Sequence, residues 1–445
     1  MEPLGGSQSP VAFSEFPEDV QMCILSFLRP ADIAVFACTS RRFATLCGEE
    51  RLWFAMCDRR WGSKTLIRCW GGDGGSVRFP LLYKVLDRWE NLIGFWRRIG
   101  RGDDGTPPLV FFEWGSSFIT GSRVSPSSEP GSYDVVKIPF LWMSLSPRGD
   151  PVSFVHPSCR LESSGCLKKP ASGSGFSDSD LVPVTVCFMG ENHFVVDENR
   201  GQYAGAHIID EFGSCDDLTS LEASSPPERL MAEIYQYFAN RISPCGDKSF
   251  RKQKKKRGKD RLGRRRWEAE HFVRISDCYP TPTRPLQGLW KGICENMNLD
   301  FYLITYDDVG GIACRKVGDA SEPFSGYSPV FWTSNMPFLE HPFSKEEEDI
   351  YDGREHIQPL STNCIGSAGV ISRVLCITCS YDLVVPDSSG SSVNPKNVEG
   401  RVWEYNTGTF GFGFLRNGHI IDLKHIAVNG CLLDTVEPPC NGSCS

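Results

Sequence analysis

Apolar positions follow a helical period near the start of the chain and a strand period beyond about residue 90. Val20, Cys23, Ile24, Phe27 and Leu28 fall at i, i+3, i+4, i+7 and i+8, which predicts one apolar face of a helix. Pro17 suits the first position of that helix, Glu18 and Asp19 favour its positive end, and Arg29-Pro30 ends it. A second short helix is expected from Pro30 with Ile33, Phe36 and Ala37 inward, and a third from about Ser40 with Phe43, Leu46 and Cys47 inward. Helical spacing resumes from Leu52 to Trp61, with Gly62 as its stop, and from Leu81 to Trp89. Helices this short are marginal alone, and a unit of about 40 residues needs a partner surface or a neighbouring domain.

Short apolar runs bounded by turn residues then take over: Leu109 to Trp114, Val182 to Met189, Asp300 to Tyr306, Val370 to Val385 and Gly411 to Leu423. Asn417-Gly418 between two such runs signals a hairpin and hence antiparallel sheet. Leu92-Ile93-Gly94-Phe95-Trp96-Arg97 returns as Leu286-Gln287-Gly288-Leu289-Trp290-Lys291, so the β-rich region divides into two similarly started halves. That separation is far longer than solenoid or propeller repeats allow. The expected fold class is α+β: three short helices and a helical linker, then a large antiparallel barrel or sandwich. A further helix is expected between the halves, after Pro226-Pro227, with Leu230, Ile234, Tyr237 and Phe238 on one side.

Composition adjusts this picture in three ways. The 43 glycines and 30 prolines suit many turns more than helices. The 19 cysteines are an odd number without framework spacing, which points to reduced thiols inside a cell. Neither a signal-like start nor an uninterrupted apolar span is seen, so no membrane is expected. The net charge of −8 hides a basic run from Arg251 to Arg266, which sets any nucleic-acid surface against an acidic remainder. Within it Lys254, Lys255, Lys256 and Arg257, then Arg264, Arg265 and Arg266, form two clusters similar to a bipartite nuclear import signal, with an inert exposed loop as the second reading and nucleic-acid binding a distant third.

Candidate chemistry is sparse. Cys376 and Cys379 make a lone CxxC without a second ligand pair, and buried thiols are the simpler reading, so no metal and no cofactor are expected. The glycines from Gly408 to Gly413 precede no helix and read as strand glycines. Glu346 to Asp349 reads as a solvated acidic loop. Nucleophile-elbow, Cys–His and HExxH signatures are missing from the sequence, which argues against a hydrolase.

Phe16-Pro17-Glu18-Asp19-Val20, Ile24, Leu25, Leu28, Asp32-Ile33 and Ser40-Arg41-Arg42-Phe43 together resemble the F-box motif, with Phe16 in place of the usual leucine. Glu50 to Trp53 and Arg60 to Gly62 resemble the segment that commonly follows it. Gly288 to Gly292, Phe324 to Tyr327 and Gly411 to Ile426 resemble the β-domain of the F-box-only protein thirty-one type and related plant F-box proteins; Cys294-Glu295-Asn296 departs from that pattern. The resemblance implies an F-box with its following helix over 12–62, a helical linker over 63–91, a substrate-recognition domain over 92–435 with a basic insertion at 251–266, and a tail over 436–445. It implies a non-catalytic receptor that binds a Skp-type adaptor, and through it a cullin and a RING protein, and that recruits protein substrates for ubiquitination; the cysteine usage and the basic run give nucleus and cytoplasm as the expected location. Phe16, Pro17, Val20, Ile24, Leu28, Ile33 and Phe36 would make or support the adaptor contact. Trp290, Trp332 and Phe410 are candidates for a binding cavity. The competing reading is a small-ligand-binding or hydrolytic β-barrel with a helical packing element.

Overall fold

A computed structural model describes residues 12–71, 77–99, 109–146, 148–155, 181–198, 269–275, 278–317, 330–357, 369–379 and 398–436. The basic run, the helix expected after Pro227 and the tail lie outside the described residues. The chain divides into two compact units: one of residues up to Ile93 with Trp114–Thr120 and Trp142–Ser153, the other of Gly94–Glu113, Gly121–Leu141 and Phe154 onward.

In the first unit, helices α1 (Glu18–Leu25), α2 (Pro30–Ala37), α3 (Arg41–Cys47), α4 (Glu50–Trp61) and α5 (Phe79–Glu90) follow the expected spacing. Ser40 caps α3, its Oγ accepting from Phe43 N at 3.1 Å. Glu50 of α4 accepts from Phe79 N at 2.7 Å, supplying an orphan donor at the start of α5 with its partner. Leu52, Met56, Cys57 and Trp61 of α4 are buried, as are Leu82, Val85, Leu86 and Trp89 of α5. Thr65 Oγ1 reaches Gly115 O at 2.7 Å, so the linker after α4 is fastened to the β-turn that belongs to the same unit.

The β-rich region is barrel-like, as expected, with one closed sheet for each of its two halves. Strands β1 (Gly94–Ile99), β2 (Leu109–Trp114), β3 (Ile119–Pro126), β4 (Val135–Leu145), β5 (Pro151–Val155), β6 (Val182–Phe188), β7 (His193–Glu198) and β8 (Glu270–Arg274) form a sheet closed by pairing of β4 with β5. Strands β9 (Gly288–Ile293), β10 (Leu299–Tyr306), β11 (Ile312–Val317) and β12 (Val330–Ser334) belong to the second sheet. β13 (Leu339–Glu340) and β14 (Glu355–His356) lie at its margin. β15 (Ile371–Cys379), β16 (Val398–Tyr405), β17 (Phe410–Phe414) and β18 (His419–His425) complete this sheet, closed by β12 with β15. β19 (Ala427–Val428) and β20 (Cys431–Leu432) make a small hairpin, and β21 (Thr435–Val436) returns to pair with β4. Most pairs run antiparallel, as β1 with β2 and with β8, whereas β14 with β18 and β21 with β4 run parallel.

The repeated Leu-x-Gly-x-Trp opens the first strand of each barrel. Gly94 and Gly288 both take positive φ, 116° and 138°, which turns the chain into the strand at no Cβ cost. Trp96 then faces one interior and Trp290 the other. The first is filled by Trp96, Phe112, Phe194 and Phe272, with ring centroids 4.8 to 6.4 Å apart. The second is filled by Trp290, Tyr302, Trp332, Phe410 and Phe412. Phe95, Phe111, Leu289, Ile293 and Phe301, from strands of both barrels, share one further buried cluster.

Glu346 to Asp349 is helical, contrary to the expected loop: α6 (Lys345–Asp352) starts at Ser344, whose Oγ accepts from Glu347 N at 3.3 Å. Arg401 holds Glu347 with Nη2 to Oε1 at 2.8 Å. The Ser-x-x-Glu spacing of a capping box was the available signal.

Candidate functional site

The described residues of the first unit leave one apolar surface uncovered. On α1, Gln21 and Leu25 are the buried pair, and the Gln21 amide anchors the chain by donating to Phe16 O at 2.7 Å. The apolar face legible in the sequence therefore points away from the unit's own core. Val20 is 38% exposed, Ile24 42%, Leu28 36% and Phe27 71%, with Phe16 at 37% before the helix and Val35 at 71% on α2. Isolated exposed apolar side chains are ordinary, whereas a contiguous helical row of them marks a surface that another molecule covers.

The neighbouring helices are held by specific contacts. Ile33 is 1% exposed and fixes α2 from inside. Phe36 is half-buried among Phe13 and Phe43, with centroids at 5.3 and 4.4 Å. The Arg59 guanidinium lies 4.4 Å over the Phe27 ring and donates to Ser26 Oγ at 3.0 Å, tying the end of α1 to α4. At the margin, Arg29 donates to Asp32 at 2.9 Å in the exposed start of α2, and this bond holds the Asp32 carboxyl below its ordinary value.

Of the residues singled out in the sequence, Phe16, Pro17, Val20, Ile24 and Leu28 lie exposed, whereas Ile33 is buried and Phe36 half-buried. Phe27 and Val35, the most exposed of the row, were not among the site residues. The signal for Val35 was that α2 is apolar nearly all round, more than one buried stripe requires.

Trp290, Trp332 and Phe410 are corrected by the structure. They are 0%, 0% and 1% exposed and pack against one another and Phe412 as the filling of the second barrel. A barrel with inward aromatics on adjoining strands is plugged by its own side chains, and these three offer no face to a substrate. The seven basic residues Lys254, Lys255, Lys256, Arg257, Arg264, Arg265 and Arg266 lie outside the described residues.

Polar clusters in the second barrel act as fastenings. Cys376 lies on the outward face beside Arg401 and Cys379 on the inward face, so strand alternation separates the two thiols. Burial pushes the Cys294 thiol up to about 12, which leaves it protonated beside Asp300 and Tyr302. Tyr351, His356 and Asp422 line up as hydroxyl, imidazole and carboxylate, with Oη to Nε2 at 3.1 Å and Nδ1 to Oδ2 at 2.8 Å. Tyr405 donates to the other Asp422 oxygen at 3.0 Å. Burial raises the Tyr351 hydroxyl, a poor nucleophile in that state. The chain of bonds clips α6 and β14 to the outside of the barrel.

A profile described as F-box-like matches residues 13–59, the segment that carries the uncovered row. An F-box protein of Arabidopsis thaliana is 47% identical to this chain over 433 residues, which cover 96% of this chain and 98% of that protein.

Proposed function

The chain belongs to the F-box protein family, and we propose that it is the substrate-recognition subunit of a Skp–cullin–F-box ubiquitin ligase. In this reading it brings a protein substrate to the transfer machinery without itself catalysing transfer. The observation that carries the reading is the row Phe16, Val20, Ile24, Phe27, Leu28 and Val35, apolar and exposed within the matched segment. Fully burying one such side chain is worth about 1.5–3 kcal/mol, so covering even the exposed part of six of them gives an adaptor a strong hold. The cullin and the RING protein would then be reached through that adaptor. The catalytic share of the chain is proximity: holding substrate near the transferring subunit raises its effective concentration.

The basic clusters at 254–257 and 264–266 support a second part of the proposal, import into the nucleus alongside a cytoplasmic pool.

The test is co-expression with a Skp-type adaptor followed by size-exclusion chromatography. Wild type should elute with the adaptor as a one-to-one complex. Ile24→Asp and Phe27→Asp should weaken it by about two orders of magnitude or more, since each buries an unpaired carboxylate. Because neither side chain belongs to the buried core, the thermal unfolding of the free chain should move little, Phe27→Asp losing only the ring contact with Arg59. A wild-type chain indifferent to the adaptor would overturn the proposal.

A further inference from the structure

The inward face of the first barrel turns charged at one end. Register places Trp96 opposite Arg274 and Arg98 opposite Phe272, so Arg98, Phe272 and Glu270 share the face of the aromatic filling. Gly121 of β3 also faces inward, since a Cβ there would lie 2.7 Å from the Phe112 ring, and Arg123 two residues on follows it. Three charged groups converge: Arg123 Nη2 lies 3.5 Å from Glu270 Oε1, and Arg98 Nη1 4.0 Å from the same oxygen. The Arg123 guanidinium sits 5.0 Å over the Phe140 ring, which stacks on Phe272 at 5.9 Å.

This geometry is poor for an ion pair whose only purpose is structural. Charge-assisted hydrogen bonds run at about 2.7–2.9 Å, and neither contact to Glu270 is that short. One carboxylate oxygen is shared by two guanidinia. Arg123 is 6% exposed, and its Nε is buried without a hydrogen-bond partner. A buried donor left so costs stability, and a planar guanidinium is built to give paired N–H groups to two oxygens of one anion. The Phe140 ring occupies the flat face of Arg123, which leaves the donor edge as the part that binds. Glu270 keeps 25% of its side-chain exposure and Arg98 11%, so solvent meets the cluster at these two residues, with Arg123 behind them.

We propose that Arg98 and Arg123, braced by Glu270 and Phe140, form an oxyanion-binding site at the end of the first barrel. Resting on the receptor reading above, the site takes a carboxylate or phosphoryl group on a side chain of the protein substrate. Glu270 holds the guanidinia in place and competes with the incoming anion, so its charge sets how acidic a partner must be.

The test uses the full chain co-expressed with a Skp-type adaptor. Binding is measured by fluorescence polarisation to three random-sequence peptide pools whose central residue is fixed as Glu, phosphoserine or Gln. The Glu or phosphoserine pool should bind about tenfold more tightly than the Gln pool, and the tighter of the two identifies the group. Arg123→Gln should abolish the preference. Glu270→Gln should strengthen acidic binding, a gain that a merely structural ion pair would not give, and this variant decides the matter if Arg123→Gln does not fold. Equal binding to all three pools, a preference that survives in folded Arg123→Gln, or unchanged or weaker acidic binding in Glu270→Gln would overturn the site. Co-elution with the adaptor is scored separately. A chain that binds the adaptor without acid preference loses only this inference, and one that prefers acid without binding the adaptor loses only the receptor reading.

Discussion

His271 and His356 respond to acid in opposite directions. His271, buried on β8, is held at about 4, first by burial and then by His193, whose Nε2 lies 3.1 Å away. Its depressed value contributes stability that is present above the unfolded value of about 6.5 and is lost as pH falls from there through the folded value. His356 is raised above its ordinary value by its bond to Asp422. Its contribution is complete below about 6.5 and is lost as pH rises through the raised value. Acidifying from pH 7 to 5 should therefore loosen strands β7 and β8 while tightening α6 and β14. Hydrogen exchange, corrected for intrinsic rates, should show the two segments moving apart, and His356→Asn should remove the change at α6. Parallel loosening of both segments would contradict these assignments.

Glycine acts at strand openings in two ways that substitution separates. Gly94 and Gly288 both need positive φ, but a Cβ at Gly94 meets nothing within 4 Å, whereas one at Gly288 would lie 2.9 Å from Cys278 O. Gly94→Ala should cost about 1–2 kcal/mol for backbone conformation alone. Gly288→Ala should cost more, because backbone cannot yield as a side-chain tip does. Chemical denaturation of the two variants checks the order, and equal losses would remove the role given to close approach. The Phe-Gly-Phe-Gly-Phe run of β17 follows the same logic. Its phenylalanines fill the barrel, while a Cβ at Gly411 would lie 2.7 Å from Asp422 Oδ1 and 2.8 Å from Tyr405 Oη. Asn417-Gly418 did close a hairpin, by a four-residue connection, but the tight turn with two positive φ values is at Asn429 and Gly430.

Within the β-rich unit, the two barrels and the returning C-terminal segment meet at Lys291. Its side chain is 0% exposed, and its three N–H donors reach Tyr133 O at 2.9 Å, Leu433 O at 3.1 Å and Asp434 Oδ2 at 2.7 Å. Burial lowers its value and the Asp434 bond opposes that. Asp434 immediately precedes β21, which pairs with β4, so one ammonium joins the second barrel to a segment that completes the first sheet. Lys291→Met should strand two carbonyls at roughly 1–3 kcal/mol each; half-exposed Asp434 regains water and adds little. A lower denaturation midpoint with adaptor binding retained is the expected result. An unchanged midpoint would show that the packing of Phe95, Leu289 and Phe301 holds the junction alone.

Periodicity determined where helices and strands form, because the i, i+3, i+4 and alternating patterns are local and each element must bury some face. It also showed the doubled barrel opening, since Leu92-x-Gly-x-Trp96 and Leu286-x-Gly-x-Trp290 are printed in the chain. What it left open was which face each element turns inward. Val20, Ile24 and Phe27 look like core from spacing alone, and so do Trp290 and Trp332. The tertiary structure exposes the first set, because Gln21 and Leu25 take the inward side of α1, and encloses the second, because closing eight strands into a ring brings their inward side chains together. The meeting of Arg98, Arg123 and Glu270 likewise arises only on closure, since it depends on register between strands far apart in sequence, which no local pattern records.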